Sequence, residues 1–203
     1  MSYDANDSAQ DEYYSQLLEE ISKDAISGFQ TDRLQSYYLS HRDIARDPTQ
    51  RYWEAALLMT VNAGAALVLF VTATEVAIKA VLLRPVIAGL VHNEAVAELI
   101  SDLAIQHNGL DRFKPILAKI LAAYGQIDFT EFRIEGHDKT LWEELARIQN
   151  ARNGLVHRAE PVSLEDANLA QSVAVMVLGN WLPSVLSGLG LGIGNHDGLV
   201  ERV

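Results

Sequence analysis

Toward the C-terminal end of a 203-residue chain, Arg152, Asn153, Gly154 and His157 stand together in the run ARNGLVHR. These residue types suit chemistry on an anion. An imidazole can give or take a proton near neutral pH. A guanidinium offers a planar fork of donors to negative charge. Asn153 and His157 are four residues apart and would share one face of a helix. Gly154 would let a backbone or ligand approach closely. Arg158 places a further positive charge beside His157.

At 100° per residue, Leu141, Leu145, Ile148, Leu155 and Val156 fall on one apolar stripe, with Arg152 in its middle. A guanidinium there must pair with an acid, snorkel, or open into a cleft or interface. Glu75, on an apolar stretch upstream, is the candidate structural partner. Arg152 and His157 would stand about 140° apart on an ideal helix. Two routes could bring them together: the helix loosens near Gly154, or two copies of the chain meet along this stripe.

The elements that must position these residues read as helices throughout, without the two-residue alternation of strands. Thr140-Leu141-Trp142-Glu143 is a capping box that starts a helix running toward His157. A long apolar helix is expected from about Thr49 to Val81 or beyond, ended or kinked by Arg84-Pro85. Spaced apolar residues from Asp11 to Arg46 suggest an earlier helix, and further helices are expected over Asn93–Ile105, from a cap at Asp111 to Gly125, and from Ser163 onward. Gln126–Lys139 is irregular. The expected organisation is an N-terminal helical extension over residues 1–46, a helical domain over 47–187, and a flexible C-terminal tail over 188–203. The fold class is all-α, a bundle of five to seven helices around the long apolar one.

Composition narrows the field. The chain has no cysteine, which excludes disulfides and thiolate metal sites and fits the cytoplasm. The polar, acidic start lacks the basic and apolar regions of a signal peptide. A net charge of -11 is at odds with coating long nucleic acid. Ala55–Thr74 is free of charges and as long as a membrane span, but Asn62, Gly64 and the following Glu75, Lys79 and Arg84 favour a buried core helix.

With Arg152, the polar Asn153 next to it and His157 after four intervening residues, the sequence resembles the HEPN superfamily (higher eukaryotes and prokaryotes nucleotide-binding). That family's signature is an arginine, four to six residues of which the first is often polar, then a histidine. The segment LWEELARIQNARNGLVH resembles its motif-bearing helix, and the apolar helix with Glu75 and Lys79 its central one. The resemblance covers roughly Gln50 to Ser187. It implies an α-helical bundle and a metal-independent endoribonuclease, acting as a homodimer and often as a toxin or antiviral effector. Arg152, Asn153 and His157 would be catalytic, Arg147 and Arg158 weaker substrate contacts, and no cofactor or metal would be needed. An antitoxin or sensor protein would be a possible partner. A subset of the family carries a tyrosine two residues after the histidine that an antitoxin modifies. Ala159 stands there, so that modification is not expected.

Other residues read more plainly. His92, Glu94 and Glu98 could ligate a metal but fit a solvated helix face better. His137-Asp138 reads as a turn that could border the RNA cleft, and His41 and Arg42 read as surface. The Tyr13-Tyr14 and Tyr37-Tyr38 pairs could stack bases but at helical spacing are packing residues more often. The competing reading of the whole chain is a non-catalytic helical interaction module, which the acidic balance favours.

Overall fold

Each helix begins and ends where local chemistry allows. In a computed structural model describing residues 31–90, 109–194 and 198–202, helix α1 spans Thr31–Ser40 and α2 spans Arg46–Leu58. The helices predicted from Asp11 and over Asn93–Ile105 lie, before residue 31 and wholly, outside the described residues. The long helix expected from Thr49 is broken by a turn at Met59–Val61, after which the Asn62 side chain accepts from the Ala65 N–H and starts α3, Ala63–Val76. Asn62 was read as diluting a single helix; it caps a second one.

Pro85 does not end the next segment. A π-helical stretch, Ala77–Leu83, carries α3 directly into α4, Arg84–Leu90. The same device recurs where α7, Leu164–Met176, passes through π-helical Val177–Trp181 into α8, Leu182–Gly188, which holds Pro183. Proline lacks an N–H and crowds the carbonyl four residues back; a wider turn just before it moves that carbonyl aside. For Pro85 the carbonyl is Val81's, and it accepts a hydrogen bond from the buried Tyr38 hydroxyl at 2.6 Å. Helix α1 is thereby fastened to the centre of the bundle, and burial pushes the Tyr38 phenol far above its ordinary pKa.

Two further helices complete the bundle: α5, Lys114–Gly125, and α6, Leu141–Arg158. Asp111 sits inside a 3-10 turn, Leu110–Phe113, rather than capping α5, whose first turn holds Pro115. Helix α3 packs against α2, α6 and α7, and α5 packs against α8. A Cβ at Gly188 would collide with the Tyr124 carbonyl oxygen, so the glycine sets the closeness of the α5–α8 crossing. The core runs through Phe70, Ile78, Leu82, Phe113, Leu145, Ile148, Val173 and Trp181, all essentially inaccessible. The architecture is an all-α helical bundle.

Helical runs Ala63–Ala88 and Leu164–Gly188 are long and apolar enough to cross a bilayer by length and composition. In this fold 61% and 50% of those apolar windows are buried, so packing against neighbouring helices accounts for much of their apolarity.

The expected flexible tail is a short hairpin. Strands β1, Leu191–Ile193, and β2, Leu199–Glu201, pair antiparallel with Leu191 opposite Glu201 and Ile193 opposite Leu199. Leu189, Leu191 and Leu199 are buried, and the Leu199 N–H donates to the Arg42 carbonyl at 2.9 Å. Glycines at every other position from Gly188 to Gly194 obscured β1, because alternation of an aliphatic residue with glycine reads as linker rather than as a two-faced strand.

Candidate functional site

Helix α6 presents the motif. Its capping box forms as expected: the Thr140 hydroxyl accepts from the Glu143 N–H at 3.3 Å, and the Thr140 N–H donates to the Glu143 carboxylate at 2.8 Å. Those Thr140 bonds hold the Glu143 carboxyl below its ordinary pKa. The Leu141 N–H donates to the Phe132 carbonyl at 2.8 Å, anchoring the start of the helix to the preceding loop.

Leu141, Trp142, Leu145 and Ile148 are buried and set the helix's rotation on the core. Farther along, Gln149 donates to Glu75 at 2.9 Å. Glu75, expected as the partner of Arg152, therefore serves the residue one turn earlier. Leu155 lies over Gly64 at the start of α3, with a methyl 3.2 Å from where a Cβ would stand. Val156, assigned to the apolar stripe, is 52% exposed, so the stripe leaves the core before the end of the helix.

The helix is uninterrupted from Leu141 to Arg158. It does not loosen at Gly154, which removes the first of the two ways in which Arg152 and His157 could converge. Arg152 is half-buried; one of its terminal nitrogens donates to the Asn153 side-chain oxygen at 3.0 Å, while its Nε is buried without a partner. His157 is exposed and stands in the last turn of α6, where a positive charge is favoured by the helix dipole.

The two flanking arginines are occupied. Arg147 binds Glu165 at 3.1 Å and Asp166 at 3.3 Å, which joins α6 to α7. The Ser163 hydroxyl, with Arg147, holds the Asp166 carboxyl below its usual range. Arg158 grips Glu160 through two parallel bonds of 2.6 and 3.0 Å, and that bond keeps the Glu160 carboxyl low. Neither arginine is free for substrate in this arrangement.

Several features were not drawn from the sequence. His137, read as a turn residue, meets the Glu144 carboxylate at 3.0 Å. Glu144 is 4% exposed, and its other oxygen has no partner. Tyr37 stacks on His41 with ring centroids 4.2 Å apart, while Tyr38 is core. Trp53, Leu57 and Val61 are 62%, 80% and 79% exposed and repeat every four residues along α2 and its exit turn. That spacing was available in the sequence. Val61, at the end of this strip, lies three residues before Gly64, which packs against Leu155 of α6.

Among the described residues no group of three His, Asp or Glu side chains could hold a metal ion. His92, Glu94 and Glu98 lie outside the described residues, as does the Tyr13-Tyr14 pair. Two surface cavities, of about 420 and 580 Å³, are lined by residues other than Arg152, Asn153 and His157. No family model, curated protein or solved structure matches this chain.

Proposed function

We propose that the chain is a metal-independent endoribonuclease of HEPN type, a cytoplasmic toxin or antiviral effector that cuts RNA at a site completed by a second copy of itself. The observation that carries this reading is the state of Arg152. Arg46, Arg51, Arg133, Arg147 and Arg158 are each bound to a carboxylate. Arg152, half-buried and beside Asn153, has no carboxylate partner among the described residues. In a chain of net charge -11, a desolvated cation left without an acid is suited to an incoming anion.

The chemistry follows from residue types. The RNA 2′-hydroxyl attacks the adjacent phosphorus and loses its proton to a base. The bond from phosphorus to the 5′ oxygen breaks, and that oxygen takes up a proton. The products are a 2′,3′-cyclic phosphate and a 5′-hydroxyl. His157 handles one of these protons and water the other, so that each site takes Arg152 from one copy and His157 from the other. Arg152 stabilises the charge that builds on the phosphoryl oxygens, and its bond to Asn153 holds the guanidinium in place. The exposed strip of Trp53, Leu57 and Val61 supports a dimer on this side of the bundle, since an apolar patch rimmed by polar residues marks an interaction surface.

Purified protein should cleave single-stranded RNA in the presence of EDTA, and His157→Ala should lower the rate about 100-fold or more. Equal behaviour of wild type and variant removes the reading. A non-catalytic dimerisation module is the second reading, favoured by the same exposed strip together with the acidic balance. It predicts a stable dimer with no cleavage at any RNA concentration.

A further inference from the structure

Beyond its last α-helical residue, α6 folds back on itself. Ala159 adopts a left-handed conformation, φ 53°, and its N–H donates to the Gly154 and Leu155 carbonyls. The Glu160 N–H donates to the Gly154 carbonyl at 3.2 Å. This reversal lays the Glu160 carboxylate directly on the bare backbone of Gly154. A Cβ there would collide with a Glu160 carboxylate oxygen, so the carboxylate occupies the space that glycine leaves open. Arg158 holds the same carboxylate through Nε at 2.6 Å and a terminal nitrogen at 3.0 Å.

Resting on the endoribonuclease reading above, we propose that Glu160 occupies the seat of an RNA phosphate: the Arg158 fork, over the space left by the missing Cβ of Gly154, forms a phosphate subsite beside the cleavage position, filled in the free protein by the chain's own carboxylate. The two parallel bonds have the geometry arginine uses toward phosphate as well as carboxylate. The site is close to the reacting group, because Gly154 and His157 are three residues apart and about 60° around the helix. The occupant can leave. The Arg158 and Glu160 side chains are 60% and 54% exposed, and ion pairs of that kind add little stability. A phosphate diester placed there would accept from Arg158 as Glu160 does, while Glu160 swung into solvent. The carboxylate thus acts as a tethered competitor that keeps Arg158 from attracting nucleic acid indiscriminately.

The test uses the full chain carrying His157→Ala, so that a fluorescently labelled single-stranded RNA oligonucleotide is bound without being cut. Adding Glu160→Gln should tighten binding about fivefold or more and steepen the salt dependence by about 0.7, the contribution of one additional phosphate contact on a single strand. Adding Arg158→Ala as well should abolish the gain. Glu131→Gln is the control, because Glu131 forms an ion pair with Arg133 at 2.8 Å, also two residues away, on a different part of the surface. It removes the same charge and should leave affinity nearly unchanged. No gain from Glu160→Gln, a gain that survives loss of Arg158, or an equal gain from Glu131→Gln each overturns the proposal. Cleavage by protein with His157 intact is scored separately. Tighter binding without cleavage keeps the subsite and removes the nuclease reading; cleavage with unaltered binding does the reverse.

Discussion

Arg152 and His157 stand five residues apart on one unbroken α-helix, about 140° around its axis and about 7.5 Å along it. Among the described residues one is half-buried with only Asn153 for a partner, and the other projects into solvent. A regular helix directs the two to different faces. Under the function proposed above, the site is completed by what is set against α6 from outside, and a second α6 is the simplest complement, because it brings the same two residue types in the opposite order.

Arg152→Ala should leave folding stability unchanged to within about 1 kcal/mol, or raise it, because the guanidinium has no carboxylate partner and its buried Nε is unsatisfied. A thermal melt checks this. A structural role would instead show as a large loss of stability.

If the chain pairs as proposed, Leu57→Lys should give a monomer that remains folded. Leu57 is 80% exposed between Trp53 and Val61, so the charge is tolerated in the single chain and is costly only under a partner. Sedimentation should show the monomer while circular dichroism stays helical, and RNA cleavage should fall with the dimer.

His137→Ala should destabilise the fold by about 2 kcal/mol, because it strips the buried Glu144 carboxylate of the only hydrogen bond it makes among the described residues. Adding Glu144→Leu should recover at least half of the loss, since removing both polar partners is cheaper than leaving one. Denaturant unfolding of the single and double variants measures this. A double variant no better than the single places the role of His137 elsewhere.

Asp166 links stability to pH. Its folded pKa lies below its unfolded value, through the Ser163 hydroxyl first and Arg147 next. The stability it contributes is present above the unfolded carboxylate range and is lost as pH falls through the folded value. Asp166→Asn should therefore be less stable than wild type at pH 7, and the two should converge in acid. A gap that persists in acid excludes ionisation as its source.

How much of this was visible beforehand depends on the range of the interactions. The start of α6 was legible because its capping box is written within four consecutive residues, Thr140 to Glu143. The partner of Glu75 was not, since Gln149 and Arg152 are one turn apart on α6 and only the rotation of the helix on the core decides which of them reaches α3. Pro85 does not end its helix, because a π-turn lies just upstream and the displaced Val81 carbonyl is satisfied by Tyr38, 43 residues before Val81, neither of which a local rule takes into account. The hairpin was hidden because its first strand alternates aliphatic residues with glycine and its second is three residues long. The motif itself was fully visible; its geometry, with Glu160 folded over Gly154, depended on the left-handed Ala159, which sequence does not announce.

The most direct test is complementation between two inactive chains. Arg152→Ala and His157→Ala variants, co-expressed with different tags and purified as the mixed dimer, retain one intact Arg152 on one chain and one intact His157 on the other. If the site is shared between copies, the mixed dimer should regain RNA cleavage in EDTA to about half the wild-type rate, well above either parent. A mixed dimer as inactive as its parents contradicts a site assembled from Arg152 of one copy and His157 of the other.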